Sequence, residues 1–220
     1  MDKIDFKRSL KHLYGPRADD FTMVEVPEMQ YLKIDGVGAP EGDAYAEAVG
    51  WLYAVAYPIK FSSKSELGRD YTVPPLEGLW WAEDMSAFTT DDRDSWLWTM
   101  MIMQPEWITS EVFDAGVTKA ATKLGTAPET LRLESFSEGL SVQIMHVGPF
   151  ADEAPTIARL HGQFLPENGL VENGHHHEIY LSDPRRTAPE KLKTVLRQPV
   201  RSGPVRSGPV RSGPVRSAER

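Results

Sequence analysis

The chain has 220 residues, 40% hydrophobic and 25% charged, the balance of a folded protein with one large core or two small ones and not of a disordered chain or a membrane bundle. Its 32 acidic against 24 basic residues leave a net charge of −8, which disfavours a nucleic-acid or anionic-membrane surface and suits a neutral or cationic partner. With no cysteine, disulfides, thiolate nucleophiles and thiolate metal sites are excluded, and the mixed charged and apolar start, Met1 to Tyr14, reads as neither secretory signal nor membrane span, which predicts a cytoplasmic protein.

Taken in chain order, Thr22 to Val37 is strand-like. Asp43 to Tyr57 reads helical, with Ala44, Ala48, Trp51, Leu52, Val55 and Ala56 spaced for one buried face. Tyr71 to Trp81 and Trp96 to Met103 predict two aromatic-rich strands separated by the acidic turn Thr89 to Arg93. A helix over Glu106 to Leu124 bridges two halves, about 20–104 and 128–198. In the second half, Thr130 to Val147 offers strands around the turn Ser137 to Gly139, Asp152 to Phe164 a helix, and His175 to Leu181 a strand. Pro189 to Leu196 reads as a short closing helix, begun by a proline whose missing N–H costs nothing there.

From Pro199 a five-residue Val-Arg-Ser-Gly-Pro repeat takes over, basic and interrupted by Gly-Pro steps that oppose helix and sheet alike. The expected division is therefore a domain over 1–198 and a disordered tail over 199–220. Within the domain, residues 28–38 can be laid over 138–148, so that Glu28 meets Glu138, Ile34 meets Ile144, Val37 meets Val147 and Gly38 meets Gly148. Further on, Asp43 meets Glu153 and Ala44 meets Ala154. Strands, a glycine turn, a helix and more strands, twice over, predict an α+β fold of tandem duplicated sheet-plus-helix modules.

Six Trp, seven Tyr, eight Phe and eight Met indicate either a rich core or an aromatic-walled cavity. Neighbours such as Trp80 and Trp81 point to opposite sheet faces, so both faces are apolar. With helices on one face, the other needs a cover, and a flat aromatic ligand is one candidate. Of His175-His176-His177, alternation leaves two on one face and Glu178 on the other, too few for a metal centre. Neither a nucleophile elbow nor a phosphate-cradling glycine loop is present, so neither metal nor cofactor is expected. Glu178 stands inside the apolar strand His177 to Leu181 with Tyr180 on its face, the setting of a general base or a cation anchor, or alternatively of an exposed edge-strand carboxylate. Glu77, in Pro74 to Trp81, is a second candidate in the equivalent strand of the first half.

The motifs Asp5-Phe-Lys, Val26-Pro-Glu-Met29, Pro75-Leu-Glu-Gly-Leu-Trp-Trp81, Met145-His-Val-Gly-Pro-Phe150 and, above all, the run from His175 through Glu178-Ile-Tyr180 to Lys193 resemble the GyrI-like small-molecule-binding family in its standalone form. The resemblance implies pseudo-twofold symmetry, a ligand groove between the halves, and an acidic groove residue at Glu178. It also implies hydrolysis of cyclopropanoid, duocarmycin-type alkylating agents, protecting the cell. In that reading Glu178 activates water, Trp80, Trp98 and Trp107 stack on a planar ligand, and Tyr180 or Tyr71 donates to the carbonyl that gains charge. His146 lies at the groove floor, or is a structural histidine bonded to backbone. Two other readings stay open: a module that only binds or sequesters drugs or senses an effector, and an acidic protein that shields a macromolecular partner. The ligand expected is planar and aromatic or cationic, with no nucleic acid bound through the folded domain and no membrane as partner, on a monomer or weak dimer.

Overall fold

The structure, a computed structural model, describes residues 2–83 and 92–203. Among these, nine strands form one antiparallel sheet: β1 (Thr22–Val26), β2 (Met29–Val37), β3 (Leu76–Trp81), β4 (Leu97–Gln104), β5 (Arg132–Phe136), β6 (Gly139–Val147), β7 (Leu170–Glu172), β8 (His176–Tyr180) and β9 (Lys193–Ser202). The order is β1-β6-β9-β8-β3-β4-β2-β5, with β7 pairing the far end of β9. Read from either edge, the order is the same once β1 is exchanged with β5, β2 with β6, β3 with β8 and β4 with β9. Burial follows suit: β2 and β6 share one pattern residue for residue.

Only Pro27 and Glu28 separate β1 from β2, and only Ser137 and Glu138 separate β5 from β6, a spacing that ordinarily closes a hairpin. Neither hairpin forms. β1 lies against β6 and β5 against β2, so each half is edged by a strand from the other half's sequence. Val24 and Val26 of β1 pack with Ile179 of β8 and Val195 of β9, burial that the second half supplies. The halves expected at 20–104 and 128–198 are thus interlocked.

One face of the sheet carries the long helices. α3 (Asp43–Ser65) and α4 (Ser110–Leu124) cover Leu32, Ile34, Trp98, Met100 and Ile102. In the other half α5 (Ala154–Arg159), its π-helical continuation Leu160–Phe164 and the turn Leu165–Glu167 cover Val142, Ile144 and Leu196. The helix expected to stop at Tyr57 runs through Pro58 to Ser65, because Ile59, Ser62 and Ser63 are buried beyond it. An interior proline costs about 3 kcal/mol, which packing against α4 offsets. That packing is close: a Cβ on Gly116 of α4 would lie 2.9 Å from Ile59 Cγ1.

Three other expectations change. Tyr71 stays off the ladder because Pro74 and Pro75 lack the N–H a strand needs, and β3 begins at Leu76. The closing helix is one 3-10 turn, Pro189–Lys191, after which β9 runs on as an interior strand with Thr194 to Val200 buried. The boundary expected at Pro199 therefore moves: β8 pairs only Thr194 to Arg197, so the N–H that Pro199 lacks is not needed on that side, and the first repeat unit, Val200 to Ser202, pairs with β7. Residues 204–220 of the tail, and Thr89 to Asp91 of the acidic turn, lie outside the described residues.

The opposite face, expected to need a ligand as cover, is covered by the chain's own start. α1 (Phe6–Ser9) and α2 (Lys11–Tyr14) bring Phe6, Leu10, Leu13 and Tyr14 over it. Beneath lies a buried charge network. His177 has Glu138 Oε1 3.0 Å from Nδ1 and Glu77 Oε2 3.0 Å from Nε2. Tyr14 donates to Glu77 at 3.0 Å, and Arg197 donates to Glu138, Gln143 and the Leu13 carbonyl. Burial disfavours the charged imidazole, yet Glu138 and Glu77 outweigh it and raise His177 to about 9. Burial likewise opposes ionised Glu138, but His177 and Arg197 hold it at about 2.

Both charged partners thus tie stability to pH. The His177 contribution is complete below its ordinary value of 6.5 and is lost as pH rises through about 9. The Glu138 contribution is complete above 4.5 and is lost as pH falls through about 2. Urea unfolding should give a midpoint that falls toward both extremes, and Arg197→Met, which leaves Glu138 and Glu77 with His177 as their one shared counter-charge in the network, should cost about 3–5 kcal/mol at neutral pH. A midpoint flat between pH 6 and 9.5 would contradict the assignment.

Candidate functional site

The seam between β3 and β8 joins the two halves, and its register sets Gly78 opposite Glu178, Trp80 opposite His176 and Leu76 opposite Tyr180. In the sheet's internal symmetry Gly78 corresponds to Glu178 and Trp80 to Tyr180, so Glu178 stands beside the twofold with a glycine as counterpart. Strand alternation turns His176, Glu178 and Tyr180 to the helix-bearing face and His177 and Ile179 to the buried network. Gly78 has no room for a side chain: a Cβ would lie 2.4 Å from Met100 Cε and 2.9 Å from Trp80 Nε1.

Across this seam the functional groups form a chain. Trp80 Nε1 donates to the Tyr180 hydroxyl at 2.9 Å, and that hydroxyl donates to Glu178 Oε2 at 2.8 Å. Tyr180 is therefore committed to the carboxylate and does not hold its hydrogen free for a ligand. Glu178 Oε1 accepts no hydrogen bond among the described residues, and His176 Nε2 lies 3.7 Å from it. Aromatic rings wall the site. Tyr45 of α3 stacks on Trp80 at 6.1 Å and meets Trp98 edge-on, Trp96 packs edge-on against Trp80, and Phe150 against Tyr180 at 5.7 Å.

A second carboxylate, unforeseen as a site residue, enters from the other half. Glu153, directly before α5, is 4% exposed, and its Oε1 has no hydrogen-bond partner among the described residues. The Thr194 hydroxyl, likewise without a hydrogen bond of ordinary geometry, lies close enough to Glu153 to oppose weakly the rise of its pKa. Burial and then the Glu178 charge raise Glu153 far above the carboxylate range; burial also raises Glu178, against the opposing pull of Tyr180 and His177. Near neutral pH the pair retains a proton, chiefly on Glu153. Its only trace in the sequence is the Asp43/Glu153 correspondence of the repeat, and Asp43 is exposed, so the repeat alone did not mark it.

The remaining expected site residues scatter. Trp98 is 1% exposed, lies under Tyr45 with its ring over Gly36, and donates to the Gly38 carbonyl, so it supports the wall from beneath. His146 faces the helices and contacts the Pro149 carbonyl at 3.1 Å, the backbone-bonded alternative; Thr194 separates it from Tyr180 in the ladder. Tyr71 and Trp107 do not reach Glu178. They pack with Phe6 in a separate cluster, with Tyr71 donating to Gln104 and Trp107 to Ser63. Glu77 is fully buried on the opposite face. His175 stacks on Trp81 at 4.2 Å, and among the described residues no three His, Asp or Glu side chains gather at metal-holding geometry.

A hollow of about 180 Å³ also opens between the end of β2 and the start of α3, lined by Asp35, Glu47, Trp98 and Thr130 among others. Asp35 there is already paired with Arg132 and accepts from Thr99. The seam holds the carboxyl groups with oxygens left unbonded and is the better candidate. Among the described residues, no helix is long and apolar enough to cross a membrane.

An antiparallel sheet with its long helices on one face, and a buried and a partly buried carboxylate walled by aromatic rings at its centre, defines a small-molecule-binding α+β protein. The GyrI-like small molecule binding domain matches residues 19–201, and the chain belongs to that family. Similar solved structures include an uncharacterized conserved protein from Listeria innocua, 46% identical with a TM-score of 0.83, covering 90% of this chain and 100% of its own. A hydrolase encoded by lin2189 from Listeria innocua is 44% identical with a TM-score of 0.81, covering 91% and 100%. The EcmrR C-terminal domain, at 11% identity and a TM-score of 0.53 over 83% of this chain and 98% of its own, shares the fold alone. No curated protein matches the chain.

Because the Glu178 charge holds the Glu153 proton in place, Glu178→Gln should lower the Glu153 titration midpoint while burial keeps it above the ordinary carboxylate range. Carbon-13 NMR of labelled glutamate carboxyls reads this directly. An unchanged or higher midpoint would show that the two groups are not coupled.

Proposed function

We propose that the protein binds planar aromatic small molecules over the β3/β8 seam, between the start of α3 and the start of α5, and hydrolyses the strained ring of cyclopropanoid, duocarmycin-type electrophiles. The observation that carries this is the pair Glu178 and Glu153, two neighbouring carboxyl groups of which one is inclined to ionise and the other to keep its proton. The similarity to a hydrolase at 44% identity supports hydrolysis as the reaction class.

The chemistry balances on these residues. Glu178 takes a proton from water, the water oxygen bonds to the ring CH2, and the adjacent C–C bond breaks. Its electron pair moves through the dienone to the carbonyl oxygen, making a phenolate, which takes the Glu153 proton. Proton exchange with solvent restores both groups, for a net addition of one water. Tyr180, itself held by Trp80, fixes the Glu178 carboxylate. Trp80, Tyr45 and Phe150 offer the apolar surface that would hold an aromatic ligand and exclude bulk water. The product no longer alkylates DNA, so the role that follows is protection of the cell.

Purified protein incubated with a duocarmycin-type cyclopropanoid should release the water adduct, followed by mass spectrometry, at a rate that Glu178→Gln lowers by about 10²–10⁴-fold. Tryptophan quenching should show affinity retained within a few-fold. Intact compound recovered bound to wild-type protein would leave a sequestering module, and equal turnover by the variant would remove Glu178 from the mechanism.

A further inference from the structure

The histidine run supplies three side chains, and the structure gives them three different fates. His175 stacks on Trp81. His177 is fixed by two carboxylates at 3.0 Å. His176 differs from both: its two ring nitrogens are buried, and neither makes a hydrogen bond of ordinary geometry among the described residues, although the Gln198 side chain lies close enough to act on the ring. Buried polar groups are nearly always paired, and an orphan that a protein keeps calls for a reason. A leucine of similar size would remove the unmet demand altogether, so packing does not supply one.

The carboxylate beside His176 is Glu178. The two side chains point to the same face of β8, and Nε2 stands 3.7 Å from Glu178 Oε1, the oxygen that Tyr180 leaves unbonded. A shift of about 0.7 Å would turn this approach into a hydrogen bond. We propose that His176 is a positioning residue for Glu178: a neutral imidazole carrying its hydrogen on Nε2, it donates to Glu178 Oε1 as water or ligand fills the site, so that both carboxylate oxygens are held and Glu178 is fixed in its ionised form. The inference rests on Glu178 being the base of the proposed reaction.

The surroundings favour a neutral donor. Burial lowers His176 to about 3, with His161 of the π-helical turn and His177 adding to the effect against weaker opposition from Gln198 and Glu138. The imidazole therefore stays neutral throughout the range in which Glu178 titrates. Glu178 is faced by Glu153 ahead of α5, Tyr45 on α3, and Tyr180 and His177 of its own strand. Of these, Tyr180 alone donates to it. A neutral N–H aimed at the free oxygen is what a base in this setting lacks, since a hydrogen bond to the charged form favours that form.

The test compares His176→Leu, which removes the donor, with His176→Gln, which can restore an N–H. Carbon-13 NMR titration of the labelled Glu178 carboxyl should show the midpoint rising by about one pH unit in His176→Leu and returning toward wild type in His176→Gln. With the cyclopropanoid as substrate, kcat below that midpoint should fall about tenfold in His176→Leu with KM within about twofold, while the thermal midpoint holds or rises. A Glu178 midpoint unchanged in His176→Leu would overturn the proposal, as would a loss of thermal stability shared by both variants. The NMR arm needs no turnover. A wild-type protein that hydrolyses nothing, yet whose Glu178 midpoint moves in His176→Leu, would sink the hydrolase reading and sustain the coupling of the two residues.

Discussion

Gly78 faces Glu178 across the seam where two four-strand arrays meet, and the geometry of the site follows from that register. Were β8 to slip by one residue, alternation would turn His177 toward the helices and bury Glu178 among the carboxylates of the opposite face. The network of Glu77, His177, Glu138 and Arg197 pins the register, because each member sits in place only when β8 presents its odd-numbered residues downward. The sheet thus has a stabilising face and a face that carries the candidate site, one residue apart along the same strand. The buried His177 charge also reaches through the sheet and holds down the rise of Glu178 that burial causes.

Near-symmetry broken at a few positions makes the site. The two halves trade edge strands and share their burial pattern in β2 and β6, so the frame is symmetric. At the seam, however, glycine faces glutamate and tryptophan corresponds to tyrosine, and their side chains join into one hydrogen-bonded chain, Trp80 to Tyr180 to Glu178. The same holds at the helix starts, where Asp43 is exposed and Glu153 is buried beside the seam. A symmetric pair of carboxylates so close would repel on both sides. Asymmetry instead lets one group ionise and the other keep its proton.

Much of this frame was legible in the sequence. Alternation placed Trp80 and Trp81 on opposite faces and set Glu178 with Tyr180 on one face, and the helices over 43–57 and 106–124 lie within or close to α3 and α4. The strand exchange was not legible, since a two-residue link says nothing of which neighbour a strand will pair with. The covering of the second face escaped because α1 and α2 are four-residue turns with too little periodicity to show themselves. Tyr71, Trp107 and Glu77 were drawn to the site by residue type, while the proline pair at 74–75, the Phe6 cluster and strand parity send them elsewhere. Glu153 and His176 were missed for the opposite reason: their significance lies in burial without a partner, which only three-dimensional packing shows.

The most direct test of the account is a crystal structure of the Glu178→Gln variant holding an intact cyclopropanoid. The account predicts the ligand plane against Trp80, Tyr45 and Phe150, with its ring CH2 directed at residue 178 and its carbonyl toward Glu153. A ligand lodged instead in the hollow beside Asp35 and Glu47, or on the face covered by α1 and α2, would contradict it.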